Sequence, residues 1–167
     1  MSRTNRKGFT LIEILIVVII LGILAAIVIP QFTNASKDAK RSSLVTMVQS
    51  LRSQVALYKL QHNDNLPGYV AGGAGAPALA SATFWNQMTL FSDLNGNTNA
   101  TKTAVFDKGP YMQSVAVNPL NNNSNVVDGT DAAAASAACG FVFDFAAGAG
   151  SGKVWGTDTN GTAIIPQ

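Results

Sequence analysis

A chain of 167 residues and 17.4 kDa leaves room for one modest domain and not two large ones. Hydrophobic residues make up 47% and charged residues 12%, which excludes ordinary disorder of the whole chain, and 11 Lys+Arg against 9 Asp+Glu give no basic field for a polyanion such as nucleic acid. One Cys excludes an internal disulfide and a multi-thiolate zinc site, and one His excludes any site that needs two imidazoles.

The apolar residues concentrate at the start. From Phe9 to Ile29 the only charge is Glu13. A run of about 20 apolar residues matches the hydrocarbon core of a bilayer. Arg3, Arg6 and Lys7 precede it, as in a signal peptide, but the run is too long for that reading and no small-x-small cleavage site follows. The same three cations favour an anchor with its N-terminus in the cytoplasm, whereas Lys37, Lys40 and Arg41 beyond the far end bring the charge rule close to a tie. Glu13 is the informative residue. A carboxylate in an apolar span costs roughly 2.5–3.5 kcal/mol on insertion scales and persists where it neutralises, snorkels or meets a cation.

Lys7-Gly8-Phe9-Thr10-Leu11-Ile12-Glu13, continuing through the apolar run to Pro30, resembles the prepilin processing motif of type IV pilins and type II secretion pseudopilins. The resemblance implies cleavage between Gly8 and Phe9 by a membrane prepilin peptidase, methylation of the new N-terminal Phe9, and roles in assembly for Glu13 and for the helix-bending Pro30. Cleavage would take the side-chain charge from +2 to −1 by removing Arg3, Arg6 and Lys7. It would also leave an α-ammonium on Phe9 that Glu13 can pair with, on its own chain or on a neighbour. In a low dielectric that attraction is much larger than in water, although desolvation offsets a large part of it. The resemblance further implies that this pairing sets the stagger of subunits in a filament.

Leu44, Val48, Leu51, Val55 and Tyr58 recur at steps of four, three, four and three, which is one helix face. A second helical stretch is therefore predicted from about Thr33 to Leu60, continuous with the first through Pro30, where proline removes one backbone hydrogen bond and bends the axis. His62-Asn63-Asp64-Asn65-Leu66-Pro67-Gly68 is a stop-and-turn cluster, and its lone imidazole reads as solvated or capping. Tyr58-Lys59-Leu60 followed by polar residues and Pro67 also looks like the helix end of major pseudopilins.

Val70 to Ala82 is rich in Gly and Ala and reads as a loop. Phe84, Met88 and Phe91 then fall at helical spacing, with Ser81 or Thr83 as a cap and Trp85 as a buried anchor. Asp93, Asn95 and Asn97 place oxygen donors at alternating positions around Gly96 and invite a calcium reading; Ala104 stands where an EF-hand would have Glu, and Asn-Gly is equally a tight-turn dipeptide. The resemblance implies calcium in a C-terminal loop, as in major pseudopilins, and leaves its ligands unassigned in this sequence. Asp128, Asp131 and Asp158 with Asn160 are further oxygen donors. Gly109-Pro110-Tyr111 followed by Val115-Ala116-Val117-Asn118-Pro119 resembles the pseudopilin pattern of a Gly-x-Tyr segment, a short strand and an Asn-Pro turn, and Asn121 to Asn125 reads as a polar loop. Phe141, Phe143 and Phe145 alternate as in a half-buried strand, joined by a Gly/Ala turn to Lys153–Thr157 in an antiparallel hairpin, with Ile164-Ile165 as a last strand. Cys139 reads as a small buried residue beside the Phe141 strand.

The resulting expectation is an α+β, pilin-like lollipop: a long N-terminal helix, half membrane and half amphipathic, packed on a small antiparallel β-sheet head. Its parts would be a cleaved leader at 1–8, a transmembrane and filament-core helix at 9–30, the amphipathic half at 31–62, and a head at 63–167. The resemblance implies a structural subunit of a type II secretion pseudopilus. It would wait in lipid with its N-terminus cytoplasmic and its head periplasmic. Its partners would be copies of itself in a helical filament, the prepilin peptidase and an inner-membrane assembly platform. A type IV pilus subunit or a minor pseudopilin is the second reading, and a membrane-anchored ligand-binding module the third. No nucleophile–base pair or phosphate loop supports an enzyme.

Overall fold

The computed structural model describes residues 8–69, 79–130, 134–136, 138–146 and 150–161. The cations Arg3, Arg6 and Lys7, most of the Gly/Ala-rich loop, Asp131, and the strand expected at Ile164-Ile165 lie outside the described residues. Internal packing divides the chain into two units, one ending at Ala39 and one beginning at Lys40.

Helix α1 runs Leu11–Gln61 with Pro30 inside it, so the helix does not stop at the proline. Pro30 has no N–H to donate to the carbonyl four residues back. Three residues on, Thr33 donates its hydroxyl to the Ile29 carbonyl at 3.1 Å. Over residues 14–29 α1 is apolar all round and uncovered: Ile16, Leu21 and Ile27 are 51%, 58% and 56% exposed. β-Branched residues are mediocre helix formers in water. In lipid the helix wins because it satisfies every backbone group internally. An 18-residue window of mean hydropathy 3.3 makes α1 long and apolar enough to cross a membrane.

The second unit is built on the face that the four-and-three spacing marked. Leu44, Val48, Leu51, Val55 and Tyr58 are all buried. They share one core with helix α2 (Ser81–Thr89) and a three-stranded sheet of β3 (Val126–Asp128), β4 (Phe141–Phe143) and β5 (Val154–Gly156), and the unit also holds a two-stranded antiparallel sheet of β1 (Phe91–Ser92) and β2 (Thr98–Asn99). The expected hairpin is β4–β5, antiparallel with Phe141 opposite Gly156. The head sheet is mixed, however, because β3 lies parallel to β4 with Val126 opposite Phe141. The chain between Gly129 and Gly140 is long enough for the crossover that a parallel pair needs.

Several local expectations change. The Phe141 strand is buried on both faces: Val142 is fully covered and Asp144 nearly so, its carboxylate accepting the Ser151 N–H and hydroxyl. Val115–Val117 forms no strand; Val115 and Val117 are exposed and the first bridge is Asn118 to Asn123. Neither Ser81 nor Thr83 caps α2. Ala80 holds the cap position, and Ser81 Oγ instead accepts the Val126 N–H at 3.0 Å, tying the helix to β3. Phe91 sits in β1, while Phe84, Trp85 and Met88 are buried as the spacing predicts. Trp85 Nε1 donates to the Ser124 carbonyl at 2.7 Å. Cys139 is buried and free. Arg52 reaches from α1 to β5, its Nε donating to the Val154 carbonyl at 2.8 Å. Its Nη2 is buried with no partner among the described residues.

The aromatic centre of this core is Phe143, fully buried and 5.0 Å in an edge contact from Phe84. Phe143→Ala is expected to lower stability by about 3–5 kcal/mol, whereas Val105→Ala, at a 64% exposed position, should stay within about 0.5 kcal/mol. Denaturant unfolding of the full chain in detergent measures both.

Candidate processing and assembly site

The site lies at the helix start. Gly8, Phe9 and Thr10 are outside the helix, which begins at Leu11, and Phe9 is 83% exposed. A methyl group added at Gly8 would meet nothing within 4 Å. Among the described residues nothing crowds that position.

Thr10 and Glu13 form a reciprocal cap. The Thr10 N–H and hydroxyl both donate to Glu13 Oε2, at 2.8 and 2.7 Å, and the Glu13 N–H approaches Thr10 Oγ1 at 3.3 Å. This is a capping box, Thr-x-x-Glu, which satisfies helix N–H groups that have no intrahelical partner. The helix dipole favours a carboxylate in this first turn. Because Oε2 binds the amide that follows Phe9, the carboxylate is held one residue from where cleavage would expose an ammonium. The capping-box spacing was present in the sequence as Thr10-Leu11-Ile12-Glu13 but was hidden by its apolar surroundings. Pro30 lies well along α1 and makes no part of this cluster.

The Asp93 turn is arranged differently from a cation site. Asp93 Oδ1 accepts the N–H groups of Asn95 and Asn97, both at 2.9 Å, and Oδ2 accepts Asn97 Nδ2 at 2.8 Å. Partial burial pushes this carboxyl up, but the hydrogen bonds from Asn97, Asn95 and Gly96 together hold it below the ordinary aspartate value. With Asn97 presenting its NH2 to the carboxylate, donors occupy the space a cation would take, and Asp93, Asn95 and Asn97 in this arrangement do not fit calcium. Asp128 Oδ1 likewise accepts the N–H groups of Phe145 and Ala146, and Asp158 Oδ1 that of Asn160. Among the described residues no three His, Cys, Asp or Glu side chains are grouped to hold a metal.

Comparison with known proteins bears on the same end of the chain. Residues 3–29 match the prokaryotic N-terminal methylation motif. The type II secretion system core protein G of Pseudomonas aeruginosa is 42% identical over 122 residues, which is 73% of each chain. The chain belongs to the type II secretion system core protein G family. The core protein G of Pectobacterium carotovorum is 41% identical over 62 residues, 37% of this chain and 40% of that protein. The chain thus spans about two-fifths of that relative's length. A type IV major pilin, PilE1 of Neisseria gonorrhoeae, is 39% identical over 74 residues, 42% of this chain and 35% of the pilin. No solved structure matches significantly. The Pseudomonas match covers 73% of the chain and the pilin match 42%.

Proposed function

We propose that this core protein G family member is a structural subunit of a type II secretion pseudopilus. It is made as a precursor with residues 1–8 as leader and inserts by its apolar helix in the inner membrane, N-terminus cytoplasmic and head periplasmic. Prepilin peptidase cuts it between Gly8 and Phe9, Phe9 is methylated, and an inner-membrane assembly platform moves it from lipid into a helical filament. Residues 9–30 then form the filament core, 31–62 the amphipathic half and 63–167 the head. The chain performs no chemistry of its own in this reading. Glu13 supplies a negative charge for the Phe9 ammonium, of the same or a neighbouring chain, and Pro30 bends the helix so that neighbours pack.

The observation that carries the proposal is the Thr10–Glu13 cap, a carboxylate fixed beside the scissile position at the head of an uncovered apolar helix. Such a surface is tolerated only in lipid or against copies of itself. The pilus reading has support in the gonococcal pilin match, but that match covers 42% of the chain against 73% for the Pseudomonas protein. The test is complementation. The full gene is placed in a bacterium whose own core protein G has been deleted and whose type II secretion machine is otherwise intact. Restored secretion together with filaments containing this chain is expected. A processed, stable chain that restores neither secretion nor filaments would contradict the proposal.

A further inference from the structure

His62 is the chain's only histidine and follows directly on α1. Contrary to a solvated reading, it is fully buried. Nδ1 lies 2.9 Å from the Tyr58 carbonyl and Nε2 3.0 Å from Ser92 Oγ in β1. A carbonyl only accepts, so Nδ1 carries the proton and Nε2 accepts from the Ser92 hydroxyl. The ring stacks on Tyr58 at 3.8 Å with planes 6° apart, and Tyr111 meets it edge-on at 6.2 Å. Tyr111 in turn donates to Gln61 Oε1 at 2.7 Å. One neutral imidazole thus joins three pieces: the last turn of α1, strand β1 and the Tyr111 segment.

We propose that His62 is a proton-sensitive latch that fastens the end of α1 to β1 while neutral and loosens when the ring takes up a proton. The second proton must sit on Nε2, where Ser92 now donates, so the Ser92 hydroxyl hydrogen has to swing away and Oγ has to accept instead. The charge it brings is sealed from water. The charged groups facing the ring are Asp93 beyond β1, which favours the cation, and Lys108 of the Tyr111 segment, which opposes it and is itself paired with Asp107 at 2.8 Å. Tyr58 and Tyr111 add no charge: burial pushes both phenols up, Tyr111 to about 12. Burial outweighs the Tyr58 carbonyl and Asp93 and holds the imidazole below its ordinary value of 6.5. The sign follows from proton linkage. Below 6.5 the unfolded chain binds a proton that the folded chain resists, so the stabilisation is complete above that value and is lost as pH falls. Carboxylates in ordinary settings titrate lower, near about 4.

The experiment uses the full chain in detergent micelles with isotope-labelled histidine, whose single imidazole gives unambiguous nitrogen resonances. The expected result is an Nδ1–H neutral ring at neutral pH with a titration midpoint below 6.5, and a denaturation midpoint that falls between about pH 7 and about pH 5. In His62→Gln that fall should be largely absent. An imidazole that titrates at or above 6.5, or wild type and His62→Gln showing equal loss on acidification, would overturn the latch. If His62→Gln does not fold, the wild-type titration decides alone.

Discussion

Glu13→Ala is expected to yield a chain that inserts and is cut normally but scarcely assembles. The substitution removes the only charge of the run from Phe9 to Ile29 and, on the proposed processing, leaves the Phe9 ammonium without its partner where subunits pack. Removing one partner of an ion pair that packing has desolvated leaves the other charge uncompensated, so association should fall by about tenfold or more. The lost Thr10–Glu13 cap adds a smaller local penalty at the helix start. Counting filaments by electron microscopy, with mass spectrometry to verify cleavage, separates the two effects. Filaments of normal number and length from the Ala variant would remove the charge-pairing role.

Gly8→Val should act one step earlier and more completely. The Gly8 position is open in the chain itself, so Val there leaves the fold intact. The clash arises instead with the peptidase that must close on the scissile bond. Each 1.36 kcal/mol of lost transition-state contact slows cleavage tenfold, and a branched side chain forced into a glycine-sized space costs about 1–3 kcal/mol. The uncut precursor should therefore predominate by about tenfold over the mature chain. Equal yields of mature protein from Gly8→Val and wild type would place the cleavage elsewhere.

How much of this was legible in the sequence depends on the length scale of the signal. Leu44, Val48, Leu51, Val55 and Tyr58 announce their face because five positions repeat at helical spacing, and all five are buried. The β4–β5 hairpin was legible from three alternating phenylalanines and a Gly-rich turn. The strands β1, β2 and β3 were not, since elements of two or three residues carry too little periodicity to read. β1 and β2 pair locally, Phe91 with Asn99, whereas β3 is placed by a partner farther along the chain. Val126 lies beside Phe141 for reasons of crossover packing that no local pattern encodes. His62 misleads in the opposite direction. Its sequence neighbours are polar, and its burial depends on Ser92 and Tyr111, far along the chain. At the candidate site, Gly8, Phe9 and Glu13 were read directly from the motif, while the geometry that ties Glu13 to Thr10 required the structure.

On the proposed processing, the chain acts only after a new amino terminus has been made beside Glu13. Intact-mass and N-terminal sequencing of the wild-type protein, isolated from membranes of cells that contain prepilin peptidase, test it most directly. The mature chain should begin at Phe9 and carry one extra methyl group on its α-nitrogen. A membrane-isolated protein that still begins with Met1 would contradict the account.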